Sequence, residues 1–145
     1  MFLISHRGNI NGTSELENST SYIDRALNLG YDVEIDVWHI DKQLWLGHDA
    51  PEHKIDLEYL ASRKNKLWCH AKNLEAIKIL LDNNIHCFWQ EGDKFAITSK
   101  GYIFTHSKIT KCSTRSILVS LNADLKVPIY AAGVCSDYIC RYKNG

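Results

Sequence analysis

Three pairs of residues set the question of what this chain could do. FLISHRGN ends an apolar run in His6 and Arg7, GYDVEIDV carries Glu34 and Asp36 one residue apart, and LWCHAKN ends another run in His70 and Lys72. A further imidazole, His48, follows in LWLGHD. Residues two apart on a strand point to the same side, so each Glu-x-Asp or His-x-Lys pair shares a face. A lone buried histidine is more often a structural hydrogen-bonding group than a catalyst. Three polar pairs at three successive strand ends are harder to assign to packing, because burying ionisable groups without partners is costly.

The elements that hold these residues follow from the apolar pattern. Strands are expected at Phe2–Ser5, Val33–Val37, Leu44–Leu46, Leu67–His70, Cys87–Trp89, Tyr102–Thr105, Ile117–Leu121 and Ile129–Cys135. Several are near-continuous apolar runs, as in parallel strands covered on both faces. Helices are expected over Ser19 to Leu29, with apolar Tyr22, Ile23, Ala26 and Leu27 and Gly30 as a stop, over Leu57 to Ala61, and over Leu74 to Leu81 behind an Asn73 cap. VEIDVWHIDKQLWLGHD reads as a short-loop hairpin that folds back and brings His48 towards the rim holding Glu34 and Asp36. The pattern is α/β with parallel strands, and in such folds chemistry gathers at the C-terminal strand ends. QEGDKFAITSKG and HSKITKCSTRS, in the second half, are too short for a crossover helix with both its loops.

Composition narrows the function classes. The 145 residues, 45% of them hydrophobic, read as one domain over 1–145 with a real core. Lysine plus arginine equals aspartate plus glutamate at 17 each, so no net field recruits nucleic acid or an acidic membrane. No run reaches the ~18 to 20 apolar residues of a membrane span, and no N-terminal stretch reads as a secretory signal, so a cytoplasmic location is expected. The five cysteines form an odd set without CxxC spacing, which argues against both a disulfide framework and a zinc–cysteine site.

SHRG, then ENS at the start of a helix, then GYDVEIDV and LGHD resemble, in this order and spacing, the glycerophosphodiester phosphodiesterase superfamily. GVCSDYI is similar to the segment on that family's last barrel strand, and LWCHAKN stands where the family has an acidic-x-Lys pair. The resemblance implies a TIM-type (β/α) barrel and a metal-dependent phosphodiesterase. At 145 residues against the ~250 usual for a full barrel, it would be compact and reduced, with several helices shortened or missing in the second half. It implies His6 and His48 as the acid–base pair, Arg7 and Lys72 on the phosphate oxygens, and Glu34, Asp36 and the residue at position 70 on a divalent cation. Mg²⁺ is the first expectation for that cation, with Mn²⁺, Ca²⁺ or Zn²⁺ as alternatives. The substrate would be a small-molecule, glycan or lipid-headgroup phosphodiester, attacked by water or by its own hydroxyl.

At position 70 the family has a carboxylate and this chain a histidine. Three readings stay open there: His70 ligates a softer metal, it hydrogen-bonds a metal-bound water, or the site has no metal. The same holds for function, where a hydrolytic phosphodiesterase stands beside a phosphorus–oxygen lyase forming a cyclic phosphate and a non-catalytic phosphate- or glycan-binding module. Among further candidates, Asn18 is expected to cap its helix, Glu17 to support Arg7 or the metal shell, and Asp137 to anchor the last strand's loop or meet a lysine. Trp89 and Tyr102 are expected in the core. His39 and His53 are expected in solvent, while His106 and Glu91 are weaker pocket candidates.

Overall fold

A computed structural model describes residues 1–106 and 111–143 of the chain. Its elements in chain order are β1 (Phe2–His6), α1 (Thr20–Asn28), β2 (Asp32–Ile40), β3 (Gln43–Leu46), β4 (His53–Ile55), α2 (Leu57–Ala61), β5 (Leu67–Ala71), α3 (Leu74–Asp82), β6 (Cys87–Phe88), β7 (Phe95–Ile97), β8 (Ile103–Thr105), β9 (Ser116–Val119) and β10 (Gly133–Ser136). A 3₁₀ turn, Ile139–Tyr142, closes the described chain.

The strands form one curled, mixed sheet. Parallel pairing runs β6–β5–β2–β1–β10–β9–β8. The outer part of β2 folds back antiparallel through β3 and β4, and β7 is antiparallel to β8. An isolated antiparallel bridge, Phe88 to Thr98, ties β6 to the segment after β7.

Side-chain alternation divides the interior into two apolar regions. Val33, Ile35 and Val37 of β2, with Cys69 and Ala71 of β5, pack outward against Ile23 and Ala26 of α1, Leu60 of α2 and Ala76 and Leu80 of α3. Each fully buried Leu or Ile there contributes ~1.5–3 kcal/mol relative to exposure. The opposite face turns Ile4, Trp68, Phe88, Phe104, Ile117 and Cys135 into the curl. Asp56 and Asn73 cap α2 and α3, accepting hydrogen bonds from the amides of Tyr59 and Ala76. Gly133 lets β10 approach β1 closely, since a Cβ there would press on the Phe2 carbonyl oxygen at 2.6 Å.

The expected (β/α) barrel is corrected by this architecture. Among the described residues, ten strands and three short α-helices make a β-rich fold whose sheet is a curled half-barrel, not a helix-rich TIM barrel. The three α-helices all end by Asp82, and the later strands are joined by loops among the described residues. Two three-residue strands, β4 and β7, join the eight the sequence suggested, while Trp89 lies beyond β6 and is 42% exposed instead of in the core. Residues 107–110 of HSKITKCSTRS lie outside the described part. Among the described residues, no helix is long and apolar enough to cross a membrane.

Candidate functional site

Register assembles the site. Parallel pairing sets His6 of β1 beside Glu34 of β2, and Asp36 of β2 beside His70 of β5, all on the concave face. Beyond His6 the chain turns sharply, with Arg7 at φ +60° and Gly8 at φ +95°. A Cβ on Gly8 would lie 2.6 Å from the Tyr22 ring, so glycine is required on both counts. This turn swings Arg7 over the strand ends. His48 arrives from the β3 side, where a Cβ on Gly47 would run into the Ala50 carbonyl oxygen. The Trp38 indole N–H pins the same turn by donating to the Gly47 carbonyl at 2.7 Å.

These groups line a cavity of about 150 Å³ made by His6, Arg7, Glu34, His48 and His70, with Gln90 beside them. Phe88, Phe104, Val119 and Cys135 complete its wall. The volume equals roughly five waters' share of liquid, room for a phosphoryl group and little more. Larger clefts exist, such as the one between α1 and α2 lined by Asp24, Arg63 and Lys66, but they lack this convergence of imidazoles and carboxylates.

The two catalytic candidates are held differently. His6 Nδ1 lies 2.7 Å from Asp137 Oδ1, and that oxygen also accepts from Asn9 Nδ2 at 2.9 Å. Asn9 in turn accepts from the Tyr22 hydroxyl and donates to Glu17. The carboxylate fixes the proton on Nδ1 and leaves Nε2 as the reactive nitrogen. Burial works against a charged His6, but the bond to Asp137 and the charge of Glu34 outweigh it and raise its pKa above the usual value. His48, 42% exposed, has Nδ1 at 2.7 Å from an Arg7 guanidinium nitrogen. Guanidinium only donates, so this Nδ1 accepts and the proton sits on Nε2.

Asp36 is the hub. Its backbone amide and its Oδ2 are bracketed by the Asn18 side chain at 3.0 and 2.9 Å. Arg7 Nε approaches Oδ2 at 3.2 Å, and His70 Nδ1 approaches Oδ1 at 3.3 Å. Burial alone would push the Asp36 carboxyl up; contacts from His48, His70 and Asn18 beside Arg7 hold it well below the usual carboxylate range. Glu34 shifts the other way, raised by burial and then by the charge of Asp36. Both are buried, at 4% and 0% exposure, and Glu34 Oε1 and Asp36 Oδ1 have no hydrogen-bond partner. With His70 they offer three ligand atoms within 4.8 Å of one another, a donor set that fits a divalent cation.

Other expected residues fall elsewhere. Lys72 is half-buried and does not line the cavity. Burial works against a charged His70, but the contact with Asp36 and the charge of Glu34 outweigh it and the opposing charge of Lys72, and raise its pKa. Glu17 pairs with Arg7 at 3.2 Å, while Asn18 does not cap α1. Asp137 meets His6 instead of a lysine. Tyr102 packs against Phe2 and Trp68 inside the curl. His39, His53, His106 and Glu91 do not line the cavity. Asn9 and Gln90 were not singled out from the sequence. Asn9 directly follows the HRG turn, and Gln90 is two positions past Phe88 on the same alternation.

Comparison with protein-family models, with curated proteins and with solved structures finds no match to this chain.

Proposed function

We propose that the chain is a metal-dependent phosphodiesterase that cleaves a glycerophosphodiester-like or sugar-phosphate diester by acid–base catalysis from His6 and His48. The observation that carries this reading is one small cavity shared by three imidazoles, a guanidinium and the Glu34 carboxylate, with the buried Asp36 within ligand distance of Glu34 and His70. When bound at Glu34, Asp36 and His70, a divalent cation supplies positive charge against the phosphoryl oxygens. His6, anchored through Nδ1 by Asp137, receives a proton at Nε2 from water or from a substrate hydroxyl. His48 faces the leaving oxygen with Nε2–H. For it to act as an acid, Arg7 must release Nδ1, which then takes a proton facing Asp36 Oδ2, now 3.7 Å away. The phosphate is the natural new partner for that guanidinium. Lys72, one alternation outward from His70, is suited to the diester's outer oxygens.

The small cavity favours a small phosphodiester or the headgroup end of a larger glycan or lipid. Neutral net charge argues against a nucleic-acid substrate. We place the activity in the cytoplasm, where the five free cysteines would stay reduced.

The test is a panel of diesters against a panel of divalent metals, comparing wild type with His6→Ala and His48→Ala. Each substitution should lower turnover by ~10²–10⁴. Turnover indifferent to both changes, or to chelation, sinks the mechanism. Detection of a cyclic phosphate product assigns the nucleophile to the substrate. The contact of Arg7 with His48 Nδ1 favours a second reading, a phosphate-binding module without turnover. Binding of phosphate or a diester with no cleavage under any metal would select it.

A further inference from the structure

We propose that His70 is a metal ligand through Nδ1, and that the Glu34–Asp36–His70 site therefore selects a nitrogen-accepting first-row ion (Mn²⁺, Fe²⁺, Co²⁺ or Zn²⁺) over Mg²⁺ and Ca²⁺. The inference rests on the phosphodiesterase reading for its purpose, and names the class of cofactor at that same site.

The orientation of the ring comes first. His70 Nε2 is 3.1 Å from the backbone carbonyl oxygen of Gln90. A carbonyl can only accept, so Nε2 carries the proton, and Nδ1 is the nitrogen left for a metal. The ring cannot readily turn over, because it stacks on Phe88 with centroids 4.9 Å apart and planes 13° from parallel. A metal-bound imidazole usually has its other nitrogen held this way, donating to a backbone carbonyl or carboxylate.

What Nδ1 faces is the second observation. It points at Asp36 Oδ1 across 3.3 Å, and that oxygen has no hydrogen bond. Glu34 Oε1, also buried and without a hydrogen bond, completes the group. Two buried carboxylate oxygens without a hydrogen bond, one of them facing only the His70 imidazole, are costly unless a cation answers them. Oxygen-only sites suit Mg²⁺ and Ca²⁺, whereas an imidazole nitrogen in place of a third carboxylate lowers the ligand charge and suits the later divalent ions.

The test uses metal-free full chain without substrate. Loaded with Mn²⁺, wild type should show ¹⁴N coupling to the ion by pulsed EPR. The coupling should persist in His6→Gln and His48→Gln and vanish in His70→Gln. In His70→Glu the ratio of Co²⁺ to Mg²⁺ affinity, measured by competition, should fall by at least ~10-fold. No nitrogen coupling in wild type overturns the proposal, as does coupling that survives His70→Gln. An unchanged metal ratio in a folded His70→Glu overturns the selectivity. If the position-70 variants do not fold, coupling retained in the other two variants leaves His70 as the ligand and its absence there refutes it. Diester cleavage without nitrogen coupling defeats this inference alone; coupling without cleavage of any diester defeats the phosphodiesterase reading alone.

Discussion

Outside β2 and β5 stand the three α-helices, packed on a continuous apolar layer; outside β7 and β8, among the described residues, stands none. Ile97 on β7 is 72% exposed, while Leu60 and Leu80 behind β2 and β5 are fully buried. The two halves also differ within the curl. The helix-backed side gives Arg7, Glu34, His48 and His70 to the cavity, and the bare side gives Phe104, Val119 and Cys135. The bare side adds Asp137, which directly follows β10, the strand next to β1. Buried charges need groups held in place around them, and a strand clamped between two packed layers is the part of this fold able to do that.

The largest effect should come from that single contribution of the bare side. Asp137→Asn removes the carboxylate that fixes the His6 tautomer, and turnover should fall by ~10²–10⁴ with the thermal midpoint little changed. Equal loss of folding would mean that Asp137 is a structural residue. Next, Leu60→Ala should cost ~2–5 kcal/mol in denaturant unfolding. Ile97→Ala should stay within ~0.5 kcal/mol. Similar values at both sites would erase the contrast between the halves.

The seam where the halves meet beside β6 gives a third test. It is closed by the Phe88–Thr98 bridge, by Cys87 bonding Ser99, and by His86 Nε2 against Thr98 Oγ1 at 2.7 Å. Burial, then the charge of Lys100, pushes His86 down to about 4. A histidine depressed below its unfolded value near 6.5 contributes fully above that pH, and its contribution is lost as pH falls towards 4. The loss is ~3 kcal/mol at most. Urea unfolding at pH 7 and pH 4.5 should show a drop that His86→Leu largely removes; an undiminished drop in the variant would place the acid sensitivity elsewhere. A smaller loss is expected of Asn73→Ala, ~1 kcal/mol from the lost α3 cap, read from the denaturation midpoint.

Much of the helix-backed half was legible in the sequence because its signals are strong. VEIDV and LWCHA are long enough for their period to show, and Asn73 announces α3 at the right residue. β4 and β7 have three residues each, too few for an alternation to stand out. The barrel expectation allowed for missing helices in the second half, but resemblance still supplied a TIM-type frame, and the short antiparallel strands β4 and β7 in a curled mixed sheet are what overturn it. Asn18 was misplaced for a backbone reason. At φ +65° it sits in the left-handed region while Ser19 takes the cap position, so its amide reaches Asp36 instead of the helix. The His6–Asp137 pairing was hidden because it depends on β10 lying beside β1, a neighbour relation no local pattern encodes.

That pairing has a consequence for how the chain acquires its chemistry. His6 and Asp137 are separated by 131 positions, whereas β2, β3 and β4 meet through short turns. The entropy of closing a loop rises with its length, and folds dominated by distant contacts form slowly. The proposed site thus depends on partners near the two ends of the described chain. An excursion that frees β10 would strip His6 of its carboxylate while the local hairpins survive, so the proposed activity would report on closure of the whole sheet more sensitively than secondary-structure content does.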